Sequence, residues 1–321
     1  MTPERRRVAT NGVELDILLA GPTDGDAIVL AHGFPESSHS WRHQIGPLAD
    51  AGYRVIVPDQ RGYGRSSAPR DVAAYRSDHL AADLVGLLDD QNAESAVFVG
   101  HDWGSLLVWD LARLHPDRVR AVINASVPFT PWPARPTDLM RAQWGDRFFY
   151  ILYFQQPDVP EADLENTVRE TLHGMYSAAS AEGFGPLPDE LPPMDGTRFV
   201  ESMLRGQPMP TDLPVWLPAD EFEVYVDQFE ASGFFGPISW YRNIDADHLL
   251  VKDLPLPPMP CAFIGGSKDL VIANRPEYVE LMENLLPDYR GTVLIEGSGH
   301  WTQQELPAEF NAALFDLLAR I

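Results

Sequence analysis

The sequence predicts an α/β protein: a mostly parallel central sheet with helices on both faces, interrupted by an inserted helical lid. Three observations carry this prediction. Short apolar runs alternate with helical spacings through the first 130 residues, the pattern changes over 131–250, and strand-like runs return after Pro255, Pro257, Pro258 and Pro260. The chain has 321 residues, 45 % of them hydrophobic, enough to bury a large core with an insertion.

In chain order, 27–31, 54–58, 96–100 and 120–125 read as buried strands, rich in Val and Ile and bounded by Gly, Pro or Asp. Between them, 78–90 and 106–114 have helical spacing of apolar positions. Such alternation builds a parallel sheet with ligands bound beyond the carboxyl ends of its strands. From Pro131 the chain becomes rich in Pro, aromatics and acid, with helical stretches at 162–172 and 221–231. Strands are expected again at 261–265 and 292–295. Residues 1–130 and 251–321 are therefore expected to form one discontinuous core domain, and 131–250 a mainly helical cap. There is no internal repeat or low-complexity tract.

Composition excludes several classes of function. A formal net charge of −23 leaves no basic stripe to neutralise phosphates, so nucleic acid is not expected as a partner. The single cysteine, Cys261, rules out a disulfide framework and reads as an inert buried thiol. No apolar run approaches the roughly twenty residues of a membrane helix, and no apolar segment follows the three arginines before Val8, so a cytoplasmic protein is expected. Oligomeric state is left open, a homodimer included. No His/Cys/carboxylate cluster shows metal-ligand spacing, so neither metal nor cofactor is expected.

The strongest chemical signal is Gly100-His101-Asp102-Trp103-Gly104, placed between a predicted strand and a predicted helix. It has the form of a nucleophile elbow, G-x-S-x-G, with Asp replacing Ser. A sharp strand-to-helix turn tolerates no bulk on either side, projects the central side chain, and leaves the Trp103 amide free for an oxyanion. The alternative is an ordinary turn with a helix-capping Asp. A carboxylate nucleophile changes the reaction class, because it attacks an sp³ carbon and forms an alkyl ester that water must then hydrolyse. Epoxides and alkyl halides are the matching electrophiles.

Hydrolysis of that ester needs a base oriented by an acid, and the order nucleophile, acid, base is met by Asp102, Asp269 and His300. Asp269 follows one late strand in Gly265-Gly266-Ser267-Lys268-Asp269, and His300 the next in Gly297-Ser298-Gly299-His300-Trp301. Asp245 and Asp247 lie in the lid and are poor rivals to Asp269. His32-Gly33-Phe34-Pro35-Glu36 follows the strand at 27–31, and its Phe34 amide is the candidate second oxyanion donor, across a peptide to Pro35 that can be cis.

With these motifs in hand, the sequence resembles the soluble epoxide hydrolases of the α/β-hydrolase fold over nearly the whole chain. Beyond the motifs already quoted, Trp41-Arg42-His43-Gln44, Asp59-Gln60-Arg61-Gly62-Tyr63-Gly64 and Gly299-His300-Trp301-Thr302-Gln303 match that family. So do two lid segments, Tyr150-Ile151-Leu152-Tyr153-Phe154-Gln155 and Gly236-Pro237-Ile238-Ser239-Trp240-Tyr241-Arg242-Asn243. The resemblance implies a cofactor-free hydrolase acting on small-molecule epoxides, with Tyr150 and Tyr241 protonating the epoxide oxygen. Tyr153 is the alternative to Tyr150, and Tyr176 and Tyr225 read as packing residues. Trp103, Tyr153, Pro35 and Trp301 are expected to touch substrate.

A haloalkane dehalogenase is the rival reading, since it uses the same Asp, His and elbow. It would need a second halide donor where this chain has Phe34 and Pro35, and halide chemistry leaves the two tyrosines unexplained. A haloacetate dehalogenase fits less well, because 131–250 carries 20 acidic residues against seven Arg and would repel a carboxylate. A non-catalytic binding member of the fold would be marked by loss of a triad residue, and none is lost.

Overall fold

The computed structural model describes residues 2–183, 191–273 and 276–321. Its centre is an eight-stranded sheet of β1 (Glu4–Thr10), β2 (Val13–Ala20), β3 (Ala27–Ala31), β4 (Arg54–Pro58), β5 (Ala96–His101), β6 (Val119–Ala125), β7 (Cys261–Gly266) and β8 (Tyr289–Ile295), in spatial order β1-β2-β4-β3-β5-β6-β7-β8. The β1–β2 and β2–β4 pairs are antiparallel and every later pair is parallel.

Helices cover both faces because the central strands are apolar on both. In β3, Ile28 and Leu30 join one core while Val29 and Ala31 join the other. In β5, Val97 and Val99 face the first core and Phe98 the second, as the two-residue period of a strand requires. Helices α1 (Arg42–Asp50) and α15 (Pro307–Leu318) pack on the first face; α2 (Ser77–Asp90) and α3 (Trp103–Leu114) pack on the second.

After β6 the chain leaves the sheet and returns only at β7. The described residues between them form α4 (Pro136–Trp144), α5 (Tyr150–Tyr153), α6 (Val159–Asn166), α7 (Val168–Ala179), α8 (Phe199–Met203), α9 (Ala219–Ser232), α10 (Phe235–Arg242) and α11 (Ile244–Val251). Polar contacts fasten this layer to the sheet half. Trp240 Nε1 donates to the Arg61 carbonyl (3.2 Å), Tyr176 donates to the Pro35 carbonyl (2.6 Å), and the Ser77 amide donates to Asp247 (2.8 Å). The short α12 (Leu270–Ala273), α13 (Pro276–Leu285) and α14 (Thr302–Glu305) complete the chain. No helix among the described residues is long and apolar enough to cross a membrane.

The architecture is the predicted one, with corrections at particular elements. The N-terminal hairpin of β1 and β2 was not expected. Arg5, Arg6 and Arg7 stand exposed on β1, which pairs on one side only, so it lacks the apolar alternation of a covered strand. The helix expected over 162–172 is two helices, α6 and α7, because Thr167 leaves the helical region (φ −145°, ψ 60°). Helix α3 begins at Trp103 rather than at 106.

The core predicts its own test. Phe98 is fully buried on the central strand β5, so Phe98→Ala should cost about 3–5 kcal/mol in urea unfolding. A cost below about 1 kcal/mol would contradict this packing.

Candidate active site

The site begins where β5 turns into α3. Asp102 occupies that turn with φ 53° and ψ −118°, a conformation that L-residues rarely adopt. Such a turn forces the next strand and helix together. A Cβ on Gly104 would lie 2.1 Å from the Ala31 carbonyl oxygen, so only glycine fits there. The Trp103 amide opens α3 and has no carbonyl one turn ahead of it to accept its proton.

The loop after β3 meets the elbow from the other side. The Phe34 amide donates to Asp102 Oδ1 at 2.8 Å, and the Phe34–Pro35 peptide is cis. A Cβ on Gly33 would come within 2.4 Å of the Asp102 Cβ, which explains the glycine before Phe34. His32 is neutral, burial holding it below the usual histidine range. Its Nε2 accepts from the Gln60 amide (3.0 Å), which leaves Nδ1 to donate to the Gly33 carbonyl (3.0 Å).

The third edge comes from the loops after β7 and β8. His300 Nε2 lies 3.5 Å from Asp102 Oδ2, and its Nδ1 lies 3.1 Å and 3.2 Å from the two carboxylate oxygens of Asp269. Asp269 is fully buried, and its Oδ1 also accepts from the Val271 amide (2.9 Å). The loop carrying His300 is clamped by Glu305, whose carboxylate accepts from the amides of Gly299 (2.9 Å), Trp301 (3.1 Å) and Ala181 (3.0 Å). Asp245 and Asp247 lie far from this role: Asp245 accepts from Thr137 and Arg135, and Asp247 from the Ser77 amide.

Motif matching quoted Glu36 and His101 but gave them no role, and both turn out to be central. Glu36 is fully buried and accepts from the Gly33 amide (3.1 Å), from His101 Nδ1 (2.7 Å) and from the side-chain amides of Gln303 and Gln304 (2.9 Å each). His101 Nε2 faces the His300 carbonyl at 2.8 Å. Both nitrogens of His101 therefore meet acceptors, and satisfying both needs a proton on each. Burial pushes the Glu36 carboxyl up, but the His101 charge and hydrogen bond outweigh it and hold Glu36 ionised. The available signal was an acid within an otherwise apolar motif loop.

Above Asp102, a cavity of about 330 Å³ is lined by Asp102, Trp103, Tyr150, Trp240 and Tyr241 among others. The Tyr241 ring sits 4.6 Å from that of Trp103 and 5.8 Å from that of Tyr150, centroid to centroid. Tyr150 and Tyr241 thus share the cavity with Asp102, although they lie on different lid helices. The expectation for Tyr153 is corrected: its hydroxyl donates to Asp163 (3.0 Å), and it does not line the cavity. Helical spacing alone would place Tyr153 on the face of Tyr150, and it is the bond to Asp163 of α6 that holds its hydroxyl elsewhere. Pro35 and Trp301 are also absent from the lining; the Pro35 carbonyl is held by Tyr176, and Trp301 Nε1 donates to the Tyr176 carbonyl (3.1 Å). Tyr225 donates to Gln304 (2.9 Å). Cys261 is buried, and its thiol is pushed up to about 12 by burial.

Electrostatics divide the groups cleanly. Burial alone would raise Asp102, but the His300 hydrogen bond and charge, with the Phe34 amide, hold it below the usual carboxylate range. Burial alone would lower His300, but Asp269 and Asp102 hold it well above the usual histidine range. Burial raises Tyr150 and Tyr241, and the Asp102 charge adds to it, so both remain phenols at neutral pH. The arrangement supplies an anionic nucleophile, an imidazole oriented by a second carboxylate, and two proton donors across one cavity.

This predicts a pH dependence of stability. The raised His300 contributes stability that is full below about pH 6.5 and is lost as pH rises through its folded value. The depressed Asp102 contributes stability present above about pH 3.9 and lost on acidification. Melting temperature should therefore decline on the alkaline side, and His300→Gln should flatten that decline in differential scanning fluorimetry. An equally steep decline in the variant would contradict the ion-pair assignment.

A family model for the alpha/beta hydrolase fold matches residues 26–306. Epoxide hydrolase A of Mycobacterium tuberculosis is 44 % identical, over 98 % of this chain and 97 % of that protein. Epoxide hydrolase B of the same organism is 38 % identical over 99 % of each. Among solved structures, epoxide hydrolase A from Mycobacterium thermoresistibile superposes with a TM-score of 0.90 and 45 % identity, covering 99 % of this chain and 98 % of that one. The fold, the elbow bearing an aspartate and these full-length likenesses agree: the chain belongs to the epoxide hydrolase family of the α/β-hydrolase fold.

Proposed function

We propose that the protein opens epoxides to vicinal diols through a covalent ester on Asp102, inside a cap formed by 131–250. The observation that carries this reading is an anionic elbow carboxylate and two phenols, those of Tyr150 and Tyr241, lining one cavity.

In the first half-reaction, Asp102 attacks one epoxide carbon, the carbon–oxygen bond breaks, and Tyr150 or Tyr241 donates its proton to the departing oxygen. The resulting phenolate takes a proton from the His300 imidazolium, directly or through water. Alkylation removes the Asp102 charge that helped to hold that proton, so His300 becomes neutral when a base is needed. In the second half-reaction, His300, oriented by Asp269, removes a proton from water as its oxygen attacks the ester carbon. The Phe34 and Trp103 amides hold the oxyanion. Collapse expels the diol oxygen, which takes the proton back from His300. The new carboxylic acid then reprotonates His300, and both starting charges return. A free alkoxide is a very poor leaving group, so donation by the tyrosines is where much of the rate should lie.

Two tests follow from the division of labour. His300→Gln should accumulate an alkyl-enzyme, seen by mass spectrometry as one added substrate mass, and Asp269→Asn should slow the same step less completely. An inactive, unmodified His300→Gln enzyme would contradict it.

Tyr150→Phe and Tyr241→Phe should each slow alkylation roughly 10²-fold in stopped-flow Trp fluorescence, and the double variant should be nearly inactive. Parent-like ring opening by the double variant, or faster halide release from haloalkanes than diol formation, would favour the dehalogenase reading instead.

A further inference from the structure

The substrate cavity has a polar far end. Trp103, Leu106, Leu107 and Asp110 all line it, so one face of α3 forms its wall away from Asp102. Asp110 lies eight residues beyond Asp102, a rise of about 12 Å along the helix. Beside it, the cavity is lined by Ser77 from α2 and Asp247 from α11.

One of these three groups lacks a hydrogen-bond partner. Asp247 is 9 % exposed and accepts from the Ser77 amide. The Ser77 hydroxyl is 96 % buried by residue (4 % exposed); it stands beside both carboxyl groups but makes no hydrogen bond of acceptable geometry. The neighbouring cation, Arg113, is committed to the carbonyls of Pro255, Val251 and Leu254. Lys252, also on the wall, pairs with Asp253. Buried polar groups left without partners cost free energy, which a ligand group at this position would recover.

We infer that the Asp110–Asp247–Ser77 cluster binds a neutral hydroxyl at the end of the substrate remote from the epoxide. The inference rests on the proposed reaction at Asp102 and adds the substrate class: elongated epoxides with an apolar middle and a chain-end alcohol. A hydroxyl both donates and accepts, and the cluster offers both. Burial raises Asp110 to about 7, and burial and the Asp110 charge raise Asp247 well above the carboxylate range, so the pair shares a proton at neutral pH and offers both a donor and an acceptor. A carboxylate at that end would meet a like charge.

Steady-state kinetics on styrene oxide and on the terminal epoxides of undecene, undecenol, undecenylamine and undecenoic acid test this. Without the cluster, the alcohol should be a poorer substrate than the alkane, because its hydroxyl would be desolvated without a partner. The expected result is the reverse: roughly tenfold higher kcat/KM for the undecenol epoxide, expressed in KM. Asp110→Leu and Asp247→Leu should each bring the alcohol-to-alkane ratio down to one or less, a ratio that cancels any general loss of activity. No alcohol advantage in the parent, an advantage that survives both variants, or a preference for the ammonium or carboxylate chain would overturn the inference. Styrene oxide separates the two readings: if it is opened while the alcohol advantage is missing, only the distal site fails, and if no epoxide is opened, the reaction itself is misassigned.

Discussion

The geometry of this site depends on one buried carboxylate that does not line the cavity. Glu36 draws together the amide of the loop after β3, the imidazole preceding the nucleophile, and two glutamines beyond His300. Four donors around one carboxylate offset the desolvation of a fully buried charge. The consequence is geometric. Three loops from distant parts of the chain are registered to one another, which sets the Phe34 amide 2.8 Å from Asp102 and the His300 imidazole 3.5 Å from it. Truncating Glu36 would leave four buried donors without their acceptor, so its loss should be felt in all three loops together.

The electrostatics are coupled in the same economical way. Asp102 is held anionic by His300 and His300 is held cationic by Asp102 and Asp269, so neither can be described alone. In the proposed reaction this coupling becomes a switch, because esterifying Asp102 withdraws one of the two anions that stabilise the imidazolium. The tyrosines respond in the same sense. Their phenols are disfavoured from ionising by burial and by the Asp102 charge, and the second influence disappears as the bond to substrate forms. Proton supply and nucleophile charge are thus linked through a single carboxylate.

Much of this was legible in the sequence, and the exceptions have physical causes. The buried strands β3 and β4 were readable to the residue because burial on both faces writes an unbroken apolar run. The hairpin β1–β2 was not, since a strand open to solvent carries charges such as Arg5 to Arg7 that no periodicity betrays. Asp102, Asp269 and His300 were named from turn chemistry and chain order, and the structure brings them within 3.5 Å contacts. Tyr150 and Tyr241 came from resemblance alone, because α5 and α10 are juxtaposed only by tertiary packing. Tyr153, nearly one helical turn from Tyr150, shows how far a motif can carry: which tyrosine faces the cavity depends on Asp163, a partner no local pattern reveals. Asp110 was unremarked for the same reason, its surroundings being set by α2 and α11.

The central claim is that a carboxylate oxygen of Asp102, not water, makes the first bond to the epoxide carbon. A single turnover with excess enzyme in heavy-oxygen water measures this directly. The account predicts an unlabelled diol from the first turnover and solvent oxygen in the Asp102 side chain, located by peptide mass spectrometry. Solvent oxygen in the first-turnover diol, with Asp102 unlabelled, would show that water attacks directly and would contradict the account.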